Sequence, residues 1–155
     1  MNLASLLTEE QIVPELKSTD HWEVIVELVE HLIEGDFLSE AIREDALAAL
    51  KEREEKISTG IGSGVAIPHA FSDDIDEVAA MFGRSKEGVN FEAVDNNPVH
   101  FIVLFIVPKK QYHLHLKTLA AIAKLFTRSE VRQQLAEAET RADLLAVFGN
   151  QASCA

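Results

Sequence analysis

His69 stands directly after Ser58-Thr59-Gly60-Ile61-Gly62-Ser63-Gly64-Val65-Ala66-Ile67-Pro68. Three glycines alternate with other residues, a short apolar run ends at Pro68, and the histidine follows at once. Glycine takes positive φ without steric cost and lets backbone N–H groups approach a ligand. A run of such groups can form an anion-holding concavity, so Gly60, Gly62 and Gly64 are candidate phosphate-binding positions. Histidine forms covalent intermediates through a ring nitrogen. Its ordinary pKa of about 6.5 leaves a large neutral, nucleophilic fraction near neutral pH. The chemistry on offer is attack by His69 on a phosphorus held at the loop. The alternatives are a strand-end histidine that only packs and a pair of tight glycine turns. No Lys-Ser/Thr follows the last glycine, as a P-loop requires, and the dinucleotide-binding spacing is absent too.

Further candidates lie on both sides. His113 and His115 flank Leu114, and residues two apart do not share a helix face. His115 keeps step with Leu119, Ile122 and Phe126, so it should face inward at the start of a helix. The positive end of the helix dipole disfavours imidazolium there. A neutral His115 could share a hydrogen bond beside another histidine; otherwise it is a first-turn packing residue. A metal held by His69, His113 and His115 lacks supporting cysteine or carboxylate spacing. The planar fork of Arg53 suits phosphate, although the charged run Lys51 to Lys56 also reads as a solvated helix end. Glu54, Asp73 and Asp74 are possible acids or bases that nothing singles out, and no Ser-His-Asp arrangement is present.

The surrounding elements must place these groups. An ordered segment is expected at Asn2 to Leu7, and Ile12-Val13 before Pro14 suits a short edge strand. Thr19 or Asp20 caps a helix whose apolar positions are Trp22, Ile25, Val26, Val29, Leu32 and Ile33, ending at Gly35. Ser39 opens a second helix with Ile42, Ala46, Leu47, Ala49 and Leu50 inward. Val65-Ala66-Ile67 and Glu77 to Arg84 read as strands, with a turn at Lys86-Glu87-Gly88. Asp95-Asn96-Asn97-Pro98 is a strong turn, and Val99 to Val107 suits a central strand buried on both faces. A helix then runs from about His113 to Phe126, with Leu116, Leu119, Ala123 and Phe126 marking its core face. Helices capped by Ser129 and Thr140 follow, the last closed by Gly149. The expected fold is a single α/β domain (1–149) with a mixed sheet of about five strands flanked by helices, and a short tail (150–155).

At 155 residues the chain can bury a core without staples. Its net charge of −12 argues against nucleic acid, which wants a basic footprint, and favours partners with a basic patch. No apolar run approaches the roughly 20 residues of a membrane span, and no signal peptide is evident. A cytoplasmic protein without direct membrane insertion is expected. The single cysteine, Cys154, permits neither an internal disulfide nor a zinc site.

The stretch Ser58 to His69 closely resembles the phosphorylation-site signature of enzyme IIA domains of the fructose/mannitol type, from the phosphoenolpyruvate-dependent sugar phosphotransferase system (PTS). Phe91-Glu92-Ala93-Val94-Asp95-Asn96-Asn97-Pro98-Val99 resembles that family's segment before its central strand. Val107-Pro108 and His115-Leu116-Lys117-Thr118-Leu119-Ala120-Ala121-Ile122-Ala123 resemble its later histidine-headed helix. The resemblance spans about Leu3 to Phe148. It implies a phosphohistidine intermediate at His69, a supporting histidine at His115 and a phosphate-contacting arginine at Arg53, with Thr59 and the loop glycines helping to hold the phosphoryl oxygens. It also implies a phosphoryl donor, HPr or an HPr-like protein, and an acceptor, enzyme IIB with its membrane permease, with no cofactor or metal. The nitrogen-regulatory subgroup implies the alternative of a regulatory protein-binding module with little phosphoryl flux to sugar.

Overall fold

The computed structural model describes residues 6–56, 59–91 and 95–152. Ser58, Glu92, Ala93 and Val94, and most of the segment expected at Asn2 to Leu7, lie outside the described residues. Among the described residues there are six strands: β1 (Ile12–Val13), β2 (Gly60–Gly62), β3 (Val65–Ala66), β4 (His69–Ser72), β5 (Ala79–Val89) and β6 (Val99–Pro108). Five α-helices accompany them: α1 (His21–Glu34), α2 (Arg43–Lys56), α3 (Tyr112–Phe126), α4 (Ser129–Glu137) and α5 (Arg141–Ala152).

Local chemistry starts the helices where the sequence signals them. The Asp20 carboxylate accepts from the backbone N–H of Trp22 (3.0 Å) and Glu23 (3.3 Å) and so caps α1. Such a cap contributes about 1 kcal/mol. The fully buried stripe of α1 is Val24, Ile25, Leu28, Val29 and Leu32, while Trp22, Val26 and Ile33 pack at its margins. Ser39 caps a 3-10 turn, Glu40–Ile42, that leads into α2. On α3 the buried residues are His115, Thr118, Ile122 and Phe126, and Leu116 is exposed rather than in the core.

The sheet runs β1-β5-β6-β3-β2, and β4 also pairs with β6. It is mixed: β5 is antiparallel to β6, whereas β3 and β4 are parallel to it. Val65 pairs with Phe101 and His69 with Phe105, so β3 and β4 keep one register along β6. They are a single line of chain interrupted at Ile67-Pro68, because proline has no N–H to give to a ladder. That interruption raises the expected five strands to six.

Alternation along the strands builds a three-layer core. Ile102, Leu104 and Ile106 of β6 face α1 and α2, with Ala70, Ala79 and Met81 beside them. Phe101, Val103, Phe105 and Val107 face α3, α4 and α5 with Ala80 and Phe82. Two boundaries differ from expectation. Lys86-Glu87-Gly88 lies inside β5 where the register shifts; Gly88 takes φ +94°, and a Cβ there would also sit 2.7 Å from Pro98. Helix α5 continues past Gly149 to Ala152. That glycine costs about 1 kcal/mol in a helix.

Candidate functional site

Because Ala70 faces α1 and α2, its neighbours His69 and Phe71 face the α3 side of the sheet. Parallel pairing with Phe105 fixes the His69 backbone. The His69 ring turns Nδ1 to the Ile67 carbonyl at 2.8 Å. A carbonyl only accepts, so Nδ1 carries the proton and neutral His69 keeps its lone pair on Nε2. Nε2 has no protein hydrogen-bond partner among the described residues. Burial pulls the His69 pKa below its ordinary 6.5, and the Arg53 guanidinium pulls the same way; the Ile67 carbonyl and the Glu54 carboxylate push back. The net result is a neutral nucleophile at pH 7.

A cavity of about 250 Å³ opens over this ring, lined by Arg53, Thr59, Ile61, Ile67, His69, Leu119, Ala120 and Ala123. Arg53 reaches it from the last turn of α2. The next residue, Glu54, is buried at 6 % exposure. Its carboxylate accepts from the Thr59 N–H (3.0 Å) and the Thr59 hydroxyl (2.6 Å). The clamp ties the end of α2 to the start of β2, and the Thr59 carbonyl accepts from Ile67 N–H at 3.0 Å. Arg53, Thr59 and the Ile67 carbonyl that orients His69 are thus linked through Glu54. The sequence offers Glu54 only as one possible acid or base among several, because a carboxylate in a charged run carries no mark of burial. Its spacing of five from Thr59 was the available signal.

Arg53, Thr59 and His69 line one cavity, whereas Gly60, Gly62 and Gly64 are not among its lining. Both donors of Thr59 go to Glu54, which leaves it no proton for a phosphoryl oxygen. Gly62, Ser63 and Gly64 form the turn of the β2–β3 hairpin, with φ of +94°, +58° and +78°. That turn is fastened elsewhere. Ser63 N–H donates to Asp95 Oδ2 at 3.0 Å, and the Gly64 carbonyl accepts from His100 and Phe101. A carboxylate already holds the Ser63 amide. Val65 pairs with Phe101 and His69 with Phe105. Four residues at about 3.3 Å each put the turn roughly 13 Å from His69. Gly60 is a buried strand residue paired with Ala66 and is not among the cavity's lining. Gly62 and Gly64 shape the turn of the hairpin.

His115 is buried at 1 % exposure, and His113 is exposed. The Tyr112 ring packs on Phe71 (centroids 4.9 Å apart) and Phe71 meets His69 edge-on (6.2 Å). Tyr112, His115 and Leu119 fall on one face of α3, and Leu119 lines the cavity. His115 itself sits one turn before that lining. Its Nε2 donates to Gln111 Oε1 at 3.0 Å, while Nδ1 is buried without a partner among the described residues. Burial lowers the His115 pKa as well. No metal-holding group of three His, Cys, Asp or Glu occurs among the described residues.

Residues 5–151 match the family model described as "Phosphoenolpyruvate-dependent sugar phosphotransferase system, EIIA 2". The chain belongs to this EIIA family. Within it, the chain is 36 % identical over 140 residues to the PTS system fructose-specific EIIABC component of Bacillus subtilis (strain 168), covering 90 % of this chain and 22 % of that protein. It is 38 % identical over 99 residues to the PTS system fructose-specific EIIA component of Haloferax volcanii, covering 64 % of each. The chain thus spans about a fifth of the first relative and under two thirds of the second. A nitrogen regulatory protein of Bradyrhizobium diazoefficiens is 30 % identical over 135 residues, covering 87 % of this chain and 86 % of that one. The crystal structure of nitrogen regulatory protein IIA-Ntr from Neisseria meningitidis superposes with a TM-score of 0.85 at 28 % identity, covering 94 % of this chain and 98 % of that chain. IIA mannitol from Escherichia coli shares the fold at a TM-score of 0.77 and 19 % identity. This EIIA chain has, among its described residues, no helix long and apolar enough to cross a membrane.

Proposed function

We propose that the chain is a cytoplasmic phosphocarrier of the phosphotransferase system, with His69 as the phosphoacceptor, HPr or an HPr-like protein as donor and an enzyme IIB as acceptor. The observation that carries the reading is the His69 ring itself: neutral, fixed through Nδ1, with Nε2 unengaged beside an arginine in a cavity. The fold neighbour solved as a complex of enzyme IIAMTL and phosphorylated enzyme IIBMTL from Escherichia coli supports an enzyme IIB partner.

Transfer is an in-line displacement. Nε2 attacks phosphorus, the P–Nε2 bond forms, and the donor's P–N bond breaks with its electron pair returning to the donor's ring nitrogen. The Nδ1–H bond to Ile67 persists throughout and shares the positive charge that develops on the imidazole. Positioning and charge stabilisation do most of the work in such reactions. Arg53 supplies the positive charge for the phosphoryl oxygens, and Glu54 positions the segment that carries Thr59. His115 supports the phosphorylated state. A phosphoryl dianion nearby would favour its protonated form and turn the orphan Nδ1 into a donor.

Incubation with phosphoenolpyruvate, enzyme I and HPr should place an acid-labile, base-stable phosphoryl group on the chain. The His69→Ala protein should take up none. Absence of label on the wild type would refute the reading.

A further inference from the structure

A second cavity, of about 450 Å³, lies at the other end of β6 from the His69 ring. Its walls include Ser63 of the β2–β3 turn, Arg84, Ser85 and Lys86 of β5, His100 and Phe101 of β6, and Arg132 and Gln133 of α4. Three cations thus converge in a chain whose net charge is −12, and no carboxylate lines the space. Elsewhere Arg43, Lys56, Lys109, Lys110 and Arg128 each pair with a carboxylate. None of the three cavity cations has such a partner among the described residues.

Arg84 is the centre of the group. It is only 3 % exposed, and an arginine is almost never that buried unless it is paired. Its Nε donates to the Pro14 carbonyl at 3.0 Å, and its Nη1 donates to the carbonyls of Leu135 (2.7 Å) and Ala138 at the C-terminus of α4. The Pro14 carbonyl therefore occupies Nε, and capping α4 occupies Nη1. Nη2 has no acceptor among the described residues. Arg132 is anchored through Nη1 to the Phe126 carbonyl at 2.6 Å. The Ser85 hydroxyl, on a residue 1 % exposed, accepts from Gly88 N–H at 3.0 Å, which leaves its own proton to give. Glu15 and Asp95 accept from the backbone N–H groups of Lys86 and Ser63 but do not line the cavity. At physiological salt the screening length is about 8 Å, so the local cations outweigh the acidic surface beyond.

We propose that this cavity binds a small organic phosphate, its phosphoryl group between Arg84, Lys86 and Arg132 and its carbon skeleton over Phe101. A tetrahedral oxyanion presents an oxygen to each of three separately placed cations, which a planar carboxylate cannot do. The volume is in the range of small-molecule sites, about 300 to 1,000 Å³. The site does not use His69, so it stands or falls separately from the phosphocarrier reading.

The test is an amide NMR titration of the labelled protein with glucose 6-phosphate. Controls are glucose, inorganic phosphate and sodium chloride at matched ionic strength. Saturating shifts are expected at Ser85, Lys86, His100 and Gln133, with a Kd of about 1 mM or tighter. The Lys86→Gln, Arg132→Gln double variant should bind at least about tenfold more weakly, and His69→Ala should bind like the wild type. Arg84 is left intact because its carbonyl bonds hold α4. Shifts reproduced by sodium chloride, equal affinity for inorganic phosphate, or undiminished binding in the folded double variant would each overturn the proposal.

Discussion

At the scale of single residues, His69 owes its readiness to burial and one carbonyl. Its folded pKa lies below 6.5, so the ring midpoint followed by NMR should fall below that value. The sign for stability follows. A depressed pKa means the unfolded chain binds the proton more tightly, so the contribution is complete above about pH 6.5 and is lost as pH falls through the folded pKa. His69→Ala should flatten that acid limb in urea unfolding; a limb of unchanged slope would remove His69 from it. Glu54→Ala would strand the buried Thr59 N–H and hydroxyl, and should cost about 2 kcal/mol in the same measurement. A loss within error would reduce the clamp to a surface contact. Arg53→Ala should slow phosphoryl uptake about a hundredfold, the scale of one lost transition-state donor. His69 was legible because a histidine behind so specific a run stands out, and the inward face of His115 followed from helical spacing. The clamping role of Glu54 was illegible, since it depends on where the end of α2 meets β2.

At the scale of elements, the helices and the central strand could be read from apolar period and capping residues. The β3–β4 line could not, because Pro68 ends a strand by its local chemistry while β6 carries the register across it. In the glycine run, positive φ serves a hairpin turn, and the same φ suits an anion cradle. Gly64 at φ +78° makes the distinction testable. Alanine there should cost about 1 to 2 kcal/mol of stability, yet leave the phosphoryl uptake of the folded protein within about twofold of wild type. A slowing as deep as that of Arg53→Ala would return the turn to the phosphate site.

At the scale of the molecule, two helical layers clamp a mixed sheet whose β6 strand links two cavities of different character. One offers a neutral imidazole with one arginine, suited to a phosphoryl group that arrives and leaves. The other offers three converging cations, suited to holding. The fold was legible in outline from element order, whereas the second cavity joins residues from β5, β6 and α4 that no sequence spacing connects. The central claim rests on the ring nitrogen that accepts the phosphoryl group. Phosphorus–nitrogen coupling in the NMR spectrum of the phosphorylated, 15N-labelled chain reads it directly. The account predicts a single phosphohistidine, at His69 through Nε2, with Nδ1 still protonated; phosphate on Nδ1, or on any other residue, would contradict it.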